Sequence, residues 1–189
     1  AGEALWAGHA LGRPLLGSPR TPAAVTSASL EAFRQRHYRA DGAVLAVAGR
    51  VDPAAWIARA ASCVERLPRG AAPGFRRAGP QTRLRALVTD ARAIEQTHLV
   101  LAFRGFGRHD PRRHVLRVLN VILGENMSSR LFQSLRERHG LAYSVASSLQ
   151  LHADSGALLI GAALDPARAD KAAALCVAEL DRLRERPAR

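Results

Sequence analysis

The sequence predicts an α+β chain, with strands gathered into sheets, helices backing them, and a division near residues 69 to 82. Three observations predict it. Short apolar runs of strand length, such as Ala43 to Gly49, His98 to Phe103 and Gly156 to Leu164, alternate with longer segments whose apolar residues recur at helical spacing. The pairs Asp52-Pro53, Asp110-Pro111 and Asp165-Pro166 each open one of those longer segments. Aspartate there caps a helix, and proline sits in the first turn, where its missing N–H costs nothing. Finally, Arg69 to Gln81 holds three Gly- or Pro-rich turns and reads as a linker.

Composition narrows the function classes. The chain has 189 residues, enough to bury a core, and its 48% apolar and 23% charged residues exclude a disordered polypeptide. No run of about 18 apolar residues marks a membrane span. The net charge of +12 comes almost wholly from arginine, since Lys171 is the one lysine. Arginine clusters bind phosphates, but these are spread along the chain and are not interleaved with stacking aromatics, so a specific nucleic-acid partner is not expected. Cys63 and Cys176 fall on the apolar side of predicted helices, where they read as small core residues rather than a disulfide.

In chain order, Ala1 to Ala24 is Gly- and Pro-rich and reads as extended loop. Thr26 caps a short helix that reaches about Tyr38, with Leu30, Phe33 and His37 at helical spacing. Asp41-Gly42 turns the chain into the Ala43 to Gly49 strand. The Asp52-Pro53 helix buries Trp56, Ala60, Val64 and Leu67 and ends before Pro68. Beyond the linker, Leu84 to Thr89 and His98 to Phe103 form two strands around a turn. The helix from Arg112 to Leu123 is apolar nearly all round, which predicts burial on every side. Gly156 to Leu164 is a further strand, and the last helix lines up Ala169, Ala173, Cys176, Leu180 and Leu183.

The densest stretch runs from Leu123 to Val145. Gly124 is suited to a positive φ at a helix end, and Ser128 or Ser129 to capping the next helix. Leu131, Phe132 and Leu135 give that helix an apolar stripe, Gly140 stops it, and Leu141 to Leu149 alternates as a strand does. Arg136 and Tyr143 stand out against this frame, seven positions apart. The residues alone leave two readings open: a functional pair, or a solvated arginine and a tyrosine that packs beside Leu141 and Val145.

Most catalytic signatures are absent. There is no phosphate-cradling glycine loop, no Gly-x-Ser-x-Gly and no Cys-x-x-Cys. None of the seven histidines stands at zinc-site spacing from an acidic residue, so no metal site is expected in the chain.

Leu123 to Val145 resembles the signature of the second homologous domain in the insulinase/pitrilysin-type zinc metallopeptidases, nearest to their mitochondrial-processing-peptidase-like bacterial members. The resemblance continues in Gly8 to Gly17, in Thr26 to Tyr38 with Ala43 to Asp52, in Glu95 to Phe103 and in Asp110 to Leu164, and so covers nearly the whole chain. It implies two incomplete homologous α/β-sandwich domains with largely antiparallel sheets. Residues 1–68 would close a first peptidase-like domain, 69–82 link, and 83–189 open a second, substrate-binding domain. It also implies a zinc-dependent endopeptidase whose His-x-x-Glu-His site lies outside this chain, on an upstream domain or a homologous subunit. The Ala1 start and the stop after Arg189 favour a fragment, inactive by itself. Carried over residue by residue, the resemblance makes Arg136 and Tyr143 the substrate-binding pair, with a peptide as substrate. Many relatives have a glycine run where this chain has Gly124-Glu125-Asn126, so Glu125 adds charge beside the site. The alternative is a non-catalytic partner or scaffold subunit with the same fold.

Overall fold

In a computed structural model that describes residues 1–71, 73–80 and 87–186, the helices and strands follow the order α1 (Gly2–Leu5), α2 (Arg20–Ala23), α3 (Ser27–His37), α4 (Pro53–Val64), β1 (Thr97–Gly105), α5 (Arg113–Asn120), β2 (Ala142–Leu151), β3 (Gly156–Leu164) and α6 (Ala169–Glu185). Two π-helical segments, Val121–Glu125 and Phe132–Arg138, lie between α5 and β2. The residues gather into two units, Pro14–Arg76 on one hand and Ala1–Arg13 with Arg77–Arg189 on the other.

The larger unit is built on one antiparallel sheet in the order β1-β3-β2. β3 takes the centre because it is apolar on both faces, and seven of its nine residues are buried. On one face, Leu158, Ile160, Ala162 and Leu164 pack with Leu123, Leu131, Leu135, Val145, Ala172 and Cys176 from the helical segments. Fully buried leucines of this kind contribute about 1.5–3 kcal/mol each. Cys176 is a core residue as its spacing predicts. Burial, and secondarily the neighbouring Glu179, push its thiol up to about 11, so it stays protonated.

The opposite face of β3 meets the N-terminal segment. The expected loop over Ala1 to Ala24 instead holds α1, a 3₁₀ turn at Ala10–Gly12, and α2. Leu5 and Trp6 supply the reason: two large apolar side chains bury themselves against Ala157. The Trp6 indole N–H donates to Ser155 Oγ at 3.1 Å, and its ring meets His152 edge-on at 5.3 Å. Arg104 lies 5.2 Å over the same ring and donates to the carbonyls of Leu5 and Gly79. Burial lowers the Arg104 pKa from the usual guanidinium range, and Asp154 acts against that shift.

Of the Asp-Pro pairs, Asp52 caps α4 as predicted, while Asp110 and Asp165 stand before a turn and a 3₁₀ segment that lead into α5 and α6. Asp52, Asp110 and Asp165 each accept a backbone N–H two residues on, from Ala54, Arg112 and Ala167. Thr26 caps α3 in a reciprocal pair with Ser29. Around α5, however, burial is one-sided. Leu123 is buried, yet Val115, Val118 and Val121 are exposed, because the sheet covers a single face of the helix.

The smaller unit departs further from expectation. Ala43 to Gly49 forms no strand; Val44 and Leu45 are exposed, and no strand among the described residues pairs with them. A strand needs a neighbour to take its N–H and C=O groups, and none is supplied among the described residues. For the same reason α4 buries none of its residues: Trp56 stays 40% exposed, and Cys63 faces solvent instead of a core. Of the strand expected over Leu84 to Thr89, residues 84–86 lie outside the described residues and Leu87 to Thr89 form no strand. No helix among the described residues is long and apolar enough to cross a membrane.

Candidate functional site

The segment between α5 and β2 delivers Arg136 and Tyr143 to one place. Leu131 and Leu135 are fully buried, which fixes the face of the second π-helical segment and turns Arg136 outward. Gly140 has φ +55°, the left-handed conformation that ends the helix without a Cβ penalty. The amide of Gly140 donates to the Arg136 carbonyl at 3.1 Å and that of Leu141 to the Leu135 carbonyl at 2.8 Å. Arg168 then pins the corner by donating to the Gly140 carbonyl at 2.7 Å.

Tyr143 is displayed by a break in the strand. Ala142 faces Leu164 on β3 and Ser144 faces Ala163, so Tyr143 is the extra residue of a β-bulge. Without the bulge, Tyr143 would share the core face with Val145. With it, the ring stands 76% exposed while Ala142 and Val145 are both buried. This outcome goes against the packing alternative for Tyr143.

The two side chains meet. The Arg136 guanidinium carbon lies 6.0 Å from the Tyr143 ring centroid and 5.0 Å from that of Phe132. The Arg136 side chain forms no hydrogen bond or ion pair among the described residues, so its N–H donors are available. A guanidinium fork and a phenol hydroxyl, side by side and open to solvent, form a donor array for carbonyl or carboxylate oxygens.

Two sequence expectations for this segment change. Gly124 is extended, with φ −163°, not left-handed. Its requirement is space: a Cβ there would come within 2.6 Å of the Ser147 backbone nitrogen. The turn is held by Asn126, whose Oδ1 accepts from both the amide and the hydroxyl of Ser128, rather than by a serine cap. Glu125 accepts from the buried Asn120 side chain at 2.9 Å, and the Asn120 Oδ1 has no partner. Around them Arg117, Ser147, Ser148 and Leu149 complete a cleft of about 250 Å³. Phe132 was legible only as part of the apolar stripe; its position four residues before Arg136 was the available signal.

Among the described residues, no three of His, Cys, Asp and Glu come together as metal ligands. The guanidinium of Arg136 and the phenol of Tyr143 are not the imidazole, thiolate or carboxylate ligands that zinc sites use.

A family model described as the peptidase M16 inactive domain matches residues 24–188. An uncharacterized zinc protease of Mycobacterium tuberculosis is 43% identical over 171 residues, which are 87% of this chain and 38% of that protein. An uncharacterized zinc protease of Bacillus subtilis is 37% identical over 164 residues, 84% of this chain and 38% of the relative. The crystal structure of a peptidase M16 inactive domain from Pseudomonas fluorescens matches with a TM-score of 0.84 at 25% identity, over 98% of this chain and 45% of the other. The chain thus spans about two fifths of the length of the curated relatives it matches. With most of its length matched by the family model, the chain belongs to the peptidase M16 family of insulinase-type metallopeptidases and carries that family's inactive domain.

Proposed function

We propose that this chain binds the peptide substrate and helps close the cavity of a zinc-dependent endopeptidase of the processing-peptidase type. The zinc site lies on another domain of the protein or on a homologous subunit. The observation that carries the reading is the β-bulge that turns Tyr143 out of the core to stand beside a guanidinium with free donors. Bulges re-aim side chains next to active sites at a cost to the ladder, which favours a use for the residue they display. In this role Arg136 holds peptide carbonyl groups, and the Tyr143 hydroxyl donates to a carbonyl oxygen as it gains charge.

The uncovered apolar residues of Pro14–Arg76, among them Leu15, Val44, Ile57 and Phe75, fit the accompanying proposal about domains. In this proposal residues 1–68 complete a first, zinc-bearing domain, of which Ala1–Arg13 packs on the β3 sheet of the other, 69–82 link, and 83–189 begin the substrate-binding one. The zinc-bearing domain is the partner whose surface covers those side chains.

The test uses the full-length protein and a fluorogenic peptide chosen from a random library for cleavage by the unaltered enzyme. Arg136→Ala is expected to lower kcat/KM about ten- to a hundredfold, the worth of a charge-assisted hydrogen bond. Tyr143→Phe is expected to lower kcat about tenfold or more, with the fold intact by circular dichroism. Unchanged kinetics in both variants would overturn the assignment. A library from which nothing is cleaved would favour the scaffold reading.

A further inference from the structure

We infer that Phe132 is a positioning residue for Arg136: its ring holds the guanidinium in place while leaving every N–H donor free for substrate. The inference rests on the substrate-binding reading of Arg136.

An exposed arginine has a long, flexible stem, and ordering it on contact with a ligand subtracts from affinity. A carboxylate neighbour would order it but would occupy its donors. An aromatic ring attracts the cation through its π-face and accepts none of the N–H groups in a conventional hydrogen bond. The site has this second arrangement. Arg136 lies over Phe132 at 5.0 Å and has no acidic or carbonyl partner among the described residues.

Of the two rings near Arg136, Phe132 is the one suited to be the fixed point. It stands four residues earlier on the same helical segment, half-buried, and packs against the core that contains Leu131 and Leu135. Tyr143 is 76% exposed and 6.0 Å away, a ring free to adjust to whatever binds. Core packing therefore reaches the site through Phe132, and the orientation of Arg136 follows from it.

The experiment compares Phe132→Leu and Phe132→Tyr in the full-length protein, each alone and combined with Arg136→Ala, using the same fluorogenic peptide. Leucine keeps most of the apolar volume and removes the ring; tyrosine keeps both. Phe132→Leu is expected to raise KM about two- to fivefold with kcat retained, the fold-change that an exposed cation–π contact is worth. Phe132→Tyr should match the unaltered protein, and Phe132→Leu should add nothing once Arg136 is alanine. Equal penalties in both backgrounds, or a lower melting temperature with unchanged KM, would overturn the inference and leave Phe132 a core residue. If Arg136→Ala alone changes nothing, the substrate-binding reading itself has failed, an outcome distinct from the previous two.

Discussion

Replacing Trp6 by alanine is expected to destabilise the larger unit by about 3–5 kcal/mol, the usual cost of removing a buried large aromatic side chain. Trp6 is 4% exposed and joins three parts of the unit. Its ring packs in the cluster with Ala157 on the central strand, its N–H donates to Ser155, and it lies beneath Arg104, which ties down the Leu5 and Gly79 carbonyls. Truncation leaves a cavity, an orphaned Ser155 hydroxyl and an arginine without its ring. Hydrogen exchange of the β3 amides reads this directly, since it reports opening of the sheet whatever the rest of the protein does. Protection should fall by the equivalent of that free energy. Trp6→Phe, which restores most of the apolar surface and not the N–H, should recover most of the loss. Unchanged protection in Trp6→Ala would mean that the N-terminal segment does not support the sheet.

Gly124→Ala is the second large effect, about 3 kcal/mol, at the upper end of overpacking penalties. The added Cβ would lie 2.6 Å from the Ser147 backbone nitrogen, 2.7 Å from its Oγ and 2.9 Å from its Cβ. One of those atoms is backbone of β2, so relief requires the strand or the π-helical segment to move. Four residues earlier on that strand stands Tyr143. The variant should therefore lose both thermal stability and peptide cleavage, whereas Ser147→Gly combined with it should restore part of each by removing two of the three contacts. A Gly124→Ala protein with unaltered melting temperature would contradict the close approach.

Much of this was legible because it rests on local chemistry. β3 was predicted over the very residues it occupies, being apolar on both faces and bounded by Gly156 and Asp165. The Thr26 and Asp52 caps, the turns bonded by Asp110 and Asp165 and the left-handed Gly140 follow from side chains and backbone freedom that need no distant partner. What was not legible depends on partners. The run Ala43 to Gly49 reads as a strand, yet no neighbour pairs with it among the described residues, and the apolar residues of α4 lack a surface to cover them. Leu5 and Trp6 were hidden in a Gly- and Pro-rich segment, where two apolar residues give no period.

The site followed the same division. Arg136 and Tyr143 were singled out by spacing and resemblance, and the structure brings them within 6.0 Å of each other. The bulge was not foreseen, although its trace is present: Ala142 and Val145 are both apolar and three apart, which a regular strand would send to opposite faces. Reading alternation without that slip sends Tyr143 to the core. Gly124 likewise looked like a turn residue, because close approach to a strand 23 positions on leaves no local mark.

In the proposed function a peptide lies against Arg136 and Tyr143. The most direct measurement is photo-cross-linking of the full-length protein with a cleavable library peptide carrying a benzophenone side chain, followed by mass-spectrometric mapping. Attachment is expected within residues 132–149, suppressed by excess unmodified peptide and by Arg136→Ala. Attachment that is equally competed yet maps only outside that segment would contradict it.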